Sequence, residues 1–155
     1  MRRLILPSGA LALLLLLGGV AIAGAAPKAK PADKAGTLRF DVQFSPFHLV
    51  DADGDNNPSL GDYVVFHDLL LTDGRPVGDE AGTCPLVDLE QGLIHCTATI
   101  RLPGGQLTFQ GLTTTAPTKE VAITGGTGRY QGAAGEATLV EFGDDTGTLT
   151  IRLRR

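Results

Sequence analysis

Hydrophobic and polar residues alternate along most of the chain after Gly36. The first alternating run, LRFDVQF, gives one apolar face and one polar face: Leu38, Phe40, Val42 and Phe44 against Arg39, Asp41 and Gln43. A period of two over such a length is typical of a β-strand with only one face in the core. This run therefore predicts the first strand of the fold.

Seven further strand-like runs follow the first: 62–71, 81–89, 93–102, 106–114, 120–124, 137–142 and 146–154. Turn sequences rich in Gly, Pro, Asp and Asn separate them, and no helical period is present. Eight short strands predict an all-β fold, either a sandwich or an eight-stranded antiparallel up-and-down barrel. Closure into a barrel is favoured because it removes exposed strand edges. A barrel of this size can hold one small ligand.

The segment 119–137 is the richest in glycine. Gly125, Gly126, Gly128 and Gly132 lie around Tyr130, between two strand-like runs. Glycine adopts positive φ and lets backbones approach closely, so the segment predicts a tight structural turn with Tyr130 packed over it. A dinucleotide-binding loop is the alternative, but that motif needs a following helix and further βα units. Strand-like runs follow here, which favours the turn.

The first 26 residues are predicted to be a signal peptide. Arg2 and Arg3 precede the apolar run ALALLLLL, and small residues end the segment. An uncleaved membrane anchor is the alternative, since the segment is just long enough to span a bilayer. Residues 27–36, PKAKPADKAG, predict a disordered spacer. We therefore expect one domain, 37–155, in a secreted or extracytoplasmic protein that has no membrane contact after signal cleavage.

The charge of the chain limits its partners. Of 13 basic residues, Arg2 and Arg3 belong to the signal segment, which leaves 11 against 17 acidic residues and a net charge of −6. This balance argues against nucleic acid and anionic membrane surfaces as partners. The histidines His48, His67 and His95 are scattered singly, without the spacing of a zinc site.

Cys84 and Cys96 are the only cysteines, and they flank the turn sequence DLEQG. If the segment 89–91 forms the loop and Gly92 is left-handed, the two cysteines lie directly opposite each other on neighbouring strands. Side chains in such a pair are close enough to bridge. In an exported chain this arrangement predicts one disulfide.

An acidic cluster precedes the second run. Asp51, Asp53 and Asp55 occupy alternate positions, and Asp62 is the twelfth residue counted from Asp51. A calcium-binding loop uses oxygen ligands at such positions and a carboxylate at the twelfth. Asn56 stands where that motif has glycine, but Asn tolerates positive φ. The alternatives are therefore a calcium site and a solvated, Asx-rich loop.

The order of these motifs resembles the allene oxide cyclase barrel and the related plant dirigent proteins. Two blocks carry the resemblance: GDYVVFHDLL followed by VGDEAGTC, and GGQLTFQG followed by AITGGTGRYQGAAGEATL. The resemblance implies a calycin-like barrel from about Gly36 to the C-terminus, and a homotrimer. It also implies binding of a small apolar or phenolic molecule and, as function, a cofactor-independent isomerase or cyclase that steers cyclisation or coupling. The alternative is a non-catalytic extracytoplasmic binding or structural module.

The resemblance also implies candidate catalytic residues. In the plant cyclases, a carboxylate on the first strand, a neighbouring amide and a cysteine line the barrel. The matching positions here are Asp41, Gln43 and Cys84, while Asp68 stands where the cyclases have Asn. Two alternatives stay open. Strand alternation allows Asp41 and Gln43 to face outward as solvated side chains, and a disulfide with Cys96 would remove the free thiol.

Overall fold

The structure is a computed structural model that describes residues 36–154. The predicted signal peptide, 1–26, and all but the last residue of the predicted spacer lie outside the described residues. Between residues 36 and 154, no helix has the length and apolar character needed to cross a membrane.

Nine strands and one short 3-10 helix, Gly128–Tyr130, form the described part. The strands are β1 (Gly36–Gln43), β2 (His48–Val50), β3 (Tyr63–Thr72), β4 (Arg75–Asp88), β5 (Leu93–Leu102), β6 (Gly105–Thr113), β7 (Thr118–Gly126), β8 (Gly135–Glu141) and β9 (Thr146–Leu153). Eight of them correspond to the predicted runs, whereas β2 was not predicted. β4 starts at Arg75 rather than Ala81, because its glycine- and proline-rich start pairs with the end of β3.

The strands close into an antiparallel barrel. Their order is β1-β9-β8-β7-β6-β5-β4-β3, and β1 also pairs with β3. The closing ladder is short and sets residues 41–43 of β1 against residues 69–71 of β3. The short β2 pairs with β3 as an additional strand. The predicted eight-stranded barrel is therefore confirmed and the sandwich alternative is wrong.

One end of the barrel is filled by its own side chains, and we call it the packed half. Four aliphatic residues lie at this end: Leu70, Ile100 and Ile151 near the ends of β3, β5 and β9, and Leu107 near the start of β6. Because β6 runs opposite to the other three strands, its start lies at the same end of the barrel as their ends, and the four side chains belong to one core cluster. Each of these side chains is fully buried. Burying a side chain of this size contributes roughly 2 kcal/mol to stability, so the packed half supplies much of the driving force for folding.

The glycine-rich segment connects β7 to β8. Gly128 and Gly132 have positive φ values of 58° and 70°, and the partly buried Tyr130 packs against the core. Gly125 and Gly126 instead belong to β7 itself. A Cβ on Gly126 would lie 2.5 Å from the carbonyl oxygen of Tyr130 and 2.7 Å from that of Gln106. Close backbone approach, rather than positive φ, is therefore the reason for glycine at 126.

Candidate functional site

The end of the barrel opposite the packed half contains a cavity, and we call it the open half. The cavity has a volume of about 680 Å³, and Phe44, Phe66, Phe109 and Leu139 form much of its apolar wall. Small-molecule sites commonly have volumes of roughly 300–1,000 Å³ and a few polar groups in an apolar wall. The open half therefore has the size and character of a ligand-binding site.

Two carboxyl groups, Asp68 and Glu80, line this cavity. They occupy directly opposite positions on β3 and β4. Only 5% of Asp68 and 2% of Glu80 is exposed. Strand alternation explains the placement, because Asp68 shares the inward face of β3 with Phe66 and Leu70.

The carboxyl group of Glu80 is not satisfied by the protein. Its Oε2 atom is buried and has no hydrogen-bond partner among residues 36–154. Burial, with a smaller contribution from the Asp68 carboxylate, raises the pKa of Glu80 to about 8. Near neutral pH the side chain is therefore mostly a carboxylic acid, which can donate a hydrogen bond or a proton to a ligand.

Asp68 has partners that Glu80 lacks. The backbone N–H of Ser45 donates to Asp68 Oδ1 at 2.9 Å, and the Ser45 hydroxyl lies 3.2 Å from the same oxygen. Burial raises the pKa of Asp68, and these two hydrogen bonds oppose that rise. Asp68 therefore ionises before Glu80, so near neutral pH Asp68 is the carboxylate that can accept a proton and Glu80 is the acid that can donate one.

The mouth of the cavity carries an ion pair. Lys119 Nζ lies 2.7 Å from Glu141 Oε1 and donates to the carbonyl oxygen of Ala116 at 2.8 Å. Three consecutive threonines and Asp145 also line the cavity in this region: Thr113, Thr114 and Thr115. The cavity is therefore apolar along its walls and polar at two levels, the Asp68–Glu80 pair and the mouth.

The predicted disulfide is present in the structure. Cys84 and Cys96 are bonded, with 4.1 Å between their Cα atoms. Gly92 closes the turn between β4 and β5 with a φ of 59°, as the predicted pairing requires. Both half-cystines line the cavity. Cys84 therefore reaches the predicted site, but as a disulfide it offers no thiolate for catalysis.

Asp41 and Gln43 lie elsewhere. Both are exposed on the outer face of β1, while Phe40 and Val42 are buried inside the barrel. Neighbouring side chains of a strand point to opposite faces. Because Phe40 and Val42 point into the barrel, the two polar residues point outward. The outward alternative holds for Asp41 and Gln43, and neither lines the cavity.

Sequence reasoning missed Glu80. It is separated from Cys84 by an even number of positions in the run VGDEAGTC. In a regular strand that spacing puts both side chains on one face. Because Cys84 was expected to line the barrel, the same parity could have identified Glu80. Its sequence neighbour Asp79 takes the outer face instead, where it bonds His67 Nε2 at 2.9 Å and Arg101 Nε at 2.8 Å.

The acidic loop only partly matches the predicted calcium site. Carboxylate oxygens of Asp51, Asp53 and Asp55 lie within 4.8 Å of one another, and Asn56 adopts a φ of 63°. Asp62 does not belong to this group.

The expectation for Asp62 is corrected by its own hydrogen bonds. It is 2% exposed and accepts from the backbone N–H groups of Ala52 and Ser59, at 2.9 and 2.8 Å. These bonds lower the pKa of Asp62 and give it a structural role at the base of the loop. Calcium binding by Asp51, Asp53 and Asp55 stays a prediction.

Comparisons with known proteins agree with this fold. Residues 41–152 match the allene oxide cyclase barrel like domain. The chain is similar to pyocyanin demethylase, with 29% identity, a TM-score of 0.69, and coverage of 77% of this chain and 100% of that one. It also resembles a pterocarpan synthase dirigent protein, with 21% identity, a TM-score of 0.60, and coverage of 79% and 94%.

A Diels Alderase from Streptomyces koyangensis shares 15% identity at a TM-score of 0.61, and the match covers 79% of this chain and 70% of that one. At identities this low, the dirigent protein and the Diels Alderase show a shared fold. No curated protein sequence matches the chain.

Proposed function

Because this chain belongs to the allene oxide cyclase barrel like family, we propose that it binds a small apolar or phenolic molecule inside the barrel and steers its cyclisation or isomerisation. The observation that carries the proposal is the buried Asp68–Glu80 pair beside an apolar cavity of about 680 Å³. A shared fold alone does not determine chemistry. The proposal therefore depends on these two side chains and on the cavity.

The two carboxyl groups are suited to proton transfer without a further reagent. Asp68, as a carboxylate, accepts a proton from the ligand, for example from a phenolic hydroxyl or from a carbon next to a carbonyl. Glu80, as an acid, donates a proton to the oxygen on which negative charge develops. After release of the product, the proton on Asp68 returns to Glu80 across the pair, so the cycle is balanced. General acid–base catalysis of this kind typically contributes about 10²–10⁴-fold in rate.

The apolar wall supports the same proposal. The phenylalanine side chains Phe44, Phe66 and Phe109 give the cavity an apolar wall that a bound ligand would cover, and the buried, protonated Glu80 would then face the ligand. The Cys84–Cys96 disulfide fixes β4 to β5 beside the cavity and thereby holds the strand that carries Glu80. The similarity to pyocyanin demethylase supports a small molecule as ligand. We further propose that the protein acts outside the cytoplasm, since the predicted signal segment and the disulfide are consistent with export.

The experiment begins with the ligand that the protein retains. Purified protein is extracted and the extract is analysed by mass spectrometry, for the wild type and two matched variants. Thr113→Trp fills the cavity from a lining position, whereas Thr97→Trp adds the same side chain on the exposed outer face of β5. We expect a retained compound in the wild type and in Thr97→Trp, and its loss in Thr113→Trp. Equal retention by all three would contradict binding in the lumen.

A second experiment separates catalysis from simple binding. The retained compound is incubated with wild-type protein and with Glu80→Gln, and products are separated by chromatography. Cyclisation or isomerisation conserves mass, so we expect a product of unchanged mass and changed retention time with the wild type, formed at least about 100-fold more slowly with Glu80→Gln. No product with either protein would favour the non-catalytic binding module.

A further inference from the structure

The Cys84–Cys96 disulfide belongs to the wall of the cavity. Both half-cystines line the open half, and only 5% of Cys84 and 7% of Cys96 is exposed. Strand alternation places the two side chains on the inward faces of β4 and β5, which they share with the buried residues Glu80 and Ile100. A reagent in the cavity therefore meets the disulfide from inside the barrel, whereas the backbone of the sheet separates it from solvent outside.

The two sulfur atoms have different neighbours on the flanking strands. Opposite Cys96 on β6 is Gly111, which has no side chain. A Cβ on Gly111 would lie 3.0 Å from Cγ1 of the lining residue Val121, so this position belongs to the same wall. Opposite Cys84 on β3 is Val64, whose branched side chain lines the cavity. The wall is therefore open beside Cys96 and filled beside Cys84.

This asymmetry matters for thiol–disulfide exchange. The reaction begins when a thiolate attacks one sulfur atom along the line of the S–S bond, and its rate depends on access to that sulfur. Because the bond runs across β4 and β5, an approach to Cys96 Sγ passes over Gly111, whereas an approach to Cys84 Sγ meets Val64. Access thus favours attack at Cys96.

From this arrangement we propose that the disulfide is a reaction site for low-molecular-weight thiols that enter through the mouth of the cavity, with Cys96 as the attacked sulfur. The thiolate forms a bond to Cys96 Sγ, the S–S bond breaks, and Cys84 leaves as a thiolate that takes up a proton. A second thiol then attacks the added sulfur and releases the Cys96 thiol. Two thiols are oxidised to one small disulfide, and the protein disulfide is reduced to two thiols.

The inference goes beyond the proposed function, since it needs the cavity but not acid–base chemistry by Glu80. A molecule that fills the open half covers the approach over Gly111, so occupancy of the cavity should protect the disulfide from small thiols. The disulfide then has a chemical role besides that of a link between β4 and β5.

The route through the cavity is tested with 2-mercaptoethanol. The rate at which free thiols appear is measured at one pH for the wild type, for Thr113→Trp at a lining position, and for Thr97→Trp on the outer face of β5. We expect Thr113→Trp to slow reduction at least about tenfold and Thr97→Trp to leave it unchanged. Equal rates in all three proteins would overturn the inference, because reduction would not pass through the cavity.

The position of the first adduct identifies the attacked sulfur. After brief exposure, acid quenching and alkylation by N-ethylmaleimide, peptide mass spectrometry should find 2-mercaptoethanol on Cys96 and the alkyl group on Cys84. Gly111→Ala puts a methyl group in the approach and should slow exchange at least about fivefold. Val64→Ala clears the other approach and should give adduct on Cys84 as well. Wild-type adduct mainly on Cys84, or equally on both cysteines, would overturn the assignment.

A urea series separates direct attack from attack after unfolding. Unfolding exposes surface, so urea accelerates any route that requires it. We expect a rate that is proportional to the concentration of 2-mercaptoethanol and unchanged by urea below the unfolding transition. Acceleration by urea in this range would refute access through the cavity while the proposed function stands.

Discussion

The packed half and the open half of the barrel are built from the same strands but have different roles. Around Leu107 and Ile151 the interior is filled with aliphatic side chains that have no exposed surface. A few residues further along the same strands, the interior is a cavity that contains two carboxyl groups. The first arrangement stabilises the fold, and the second lowers its stability in order to place reactive groups in an apolar environment. The comparison teaches that one sheet can carry both tasks when they are separated along the barrel axis.

The largest expected effect compares one substitution in the two halves. Leu107→Ala removes a fully buried side chain in the packed half and should lower the free energy of unfolding by about 2–5 kcal/mol. Leu139→Ala, at the wall of the cavity, should cost about 1 kcal/mol, because that side chain is only partly buried and borders empty space. Urea denaturation of both variants measures the difference. Equal losses would show that the cavity wall is as tightly packed as the core.

The next effect concerns the disulfide at the wall of the open half. Replacing Cys84 and Cys96 together by serine should lower the free energy of unfolding by about 3 kcal/mol, since the bond closes a short loop in the unfolded chain. Equilibrium denaturation of the double variant tests this. Thiol titration of unreduced, denatured wild-type protein should find no free thiol. Two free thiols would contradict the bridge and restore Cys84 as a thiol in the cavity.

A third prediction compares Glu80 with its neighbour Asp79. The pKa of Glu80 is raised from 4.5 to about 8 because its charged form is costly to bury, so the folded protein is free of this cost below pH 4.5 and loses stability as the pH rises from there to about 8. The pKa of Asp79 is lowered, chiefly by its hydrogen bond to Arg101. Its contribution is present above its usual pKa and is lost in acid.

Denaturation at several pH values separates the two carboxyl groups. Near neutral pH, Glu80→Gln should raise the free energy of unfolding by roughly 2 kcal/mol. In the variant, the free energy of unfolding should also decrease less between about pH 5 and pH 8 than it does in the wild type. Asp79→Asn should lower it by less than about 1 kcal/mol, since the partners of Asp79 are largely exposed. A Glu80→Gln variant less stable than the wild type would show that the carboxyl group has a stabilising partner.

The smallest effect concerns the acidic loop outside both halves. If Asp51, Asp53 and Asp55 bind calcium, millimolar calcium should stabilise the folded protein by about 1 kcal/mol through mass action. Differential scanning calorimetry should then show a higher melting temperature, and Asp53→Asn should abolish the increase. Magnesium at the same concentration controls for ionic strength. An unchanged melting temperature would contradict the calcium site and leave the interpretation of a solvated, Asx-rich loop.

The sequence was sufficient for the barrel because alternation and turn residues act locally. Eight strands, the Cys84–Cys96 pairing and the left-handed Gly92 follow from such local patterns. β2 was missed because three residues give too little alternation to recognise, and its pairing with β3 forms only in the folded chain.

The site was harder to predict, because alternation gives two faces without saying which one is inside. Asp41 was matched to a catalytic position by resemblance, yet the larger apolar residues of β1 take the interior. Glu80 was missed because a charged residue next to Asp79 suggests a solvated segment. Its cross-strand partner Asp68 becomes apparent only from the register of β3 and β4.

The uneven closure of the barrel has a consequence for how a ligand enters. β1 is joined to β9 by eight residue pairs but to β3 by three, and the segment that follows β1 carries Phe44 and Ser45 at the cavity. A ladder with so few residue pairs separates at a lower free-energy cost than a long ladder. Transient opening of the barrel is therefore expected between β1 and β3. Among the ladders that close the barrel, native-state hydrogen exchange should therefore be fastest in the amides that join β1 to β3. Because Ser45 follows this ladder directly and donates to Asp68 Oδ1, we expect opening of the ladder to break that hydrogen bond, which would link ligand entry to the acidity of Asp68.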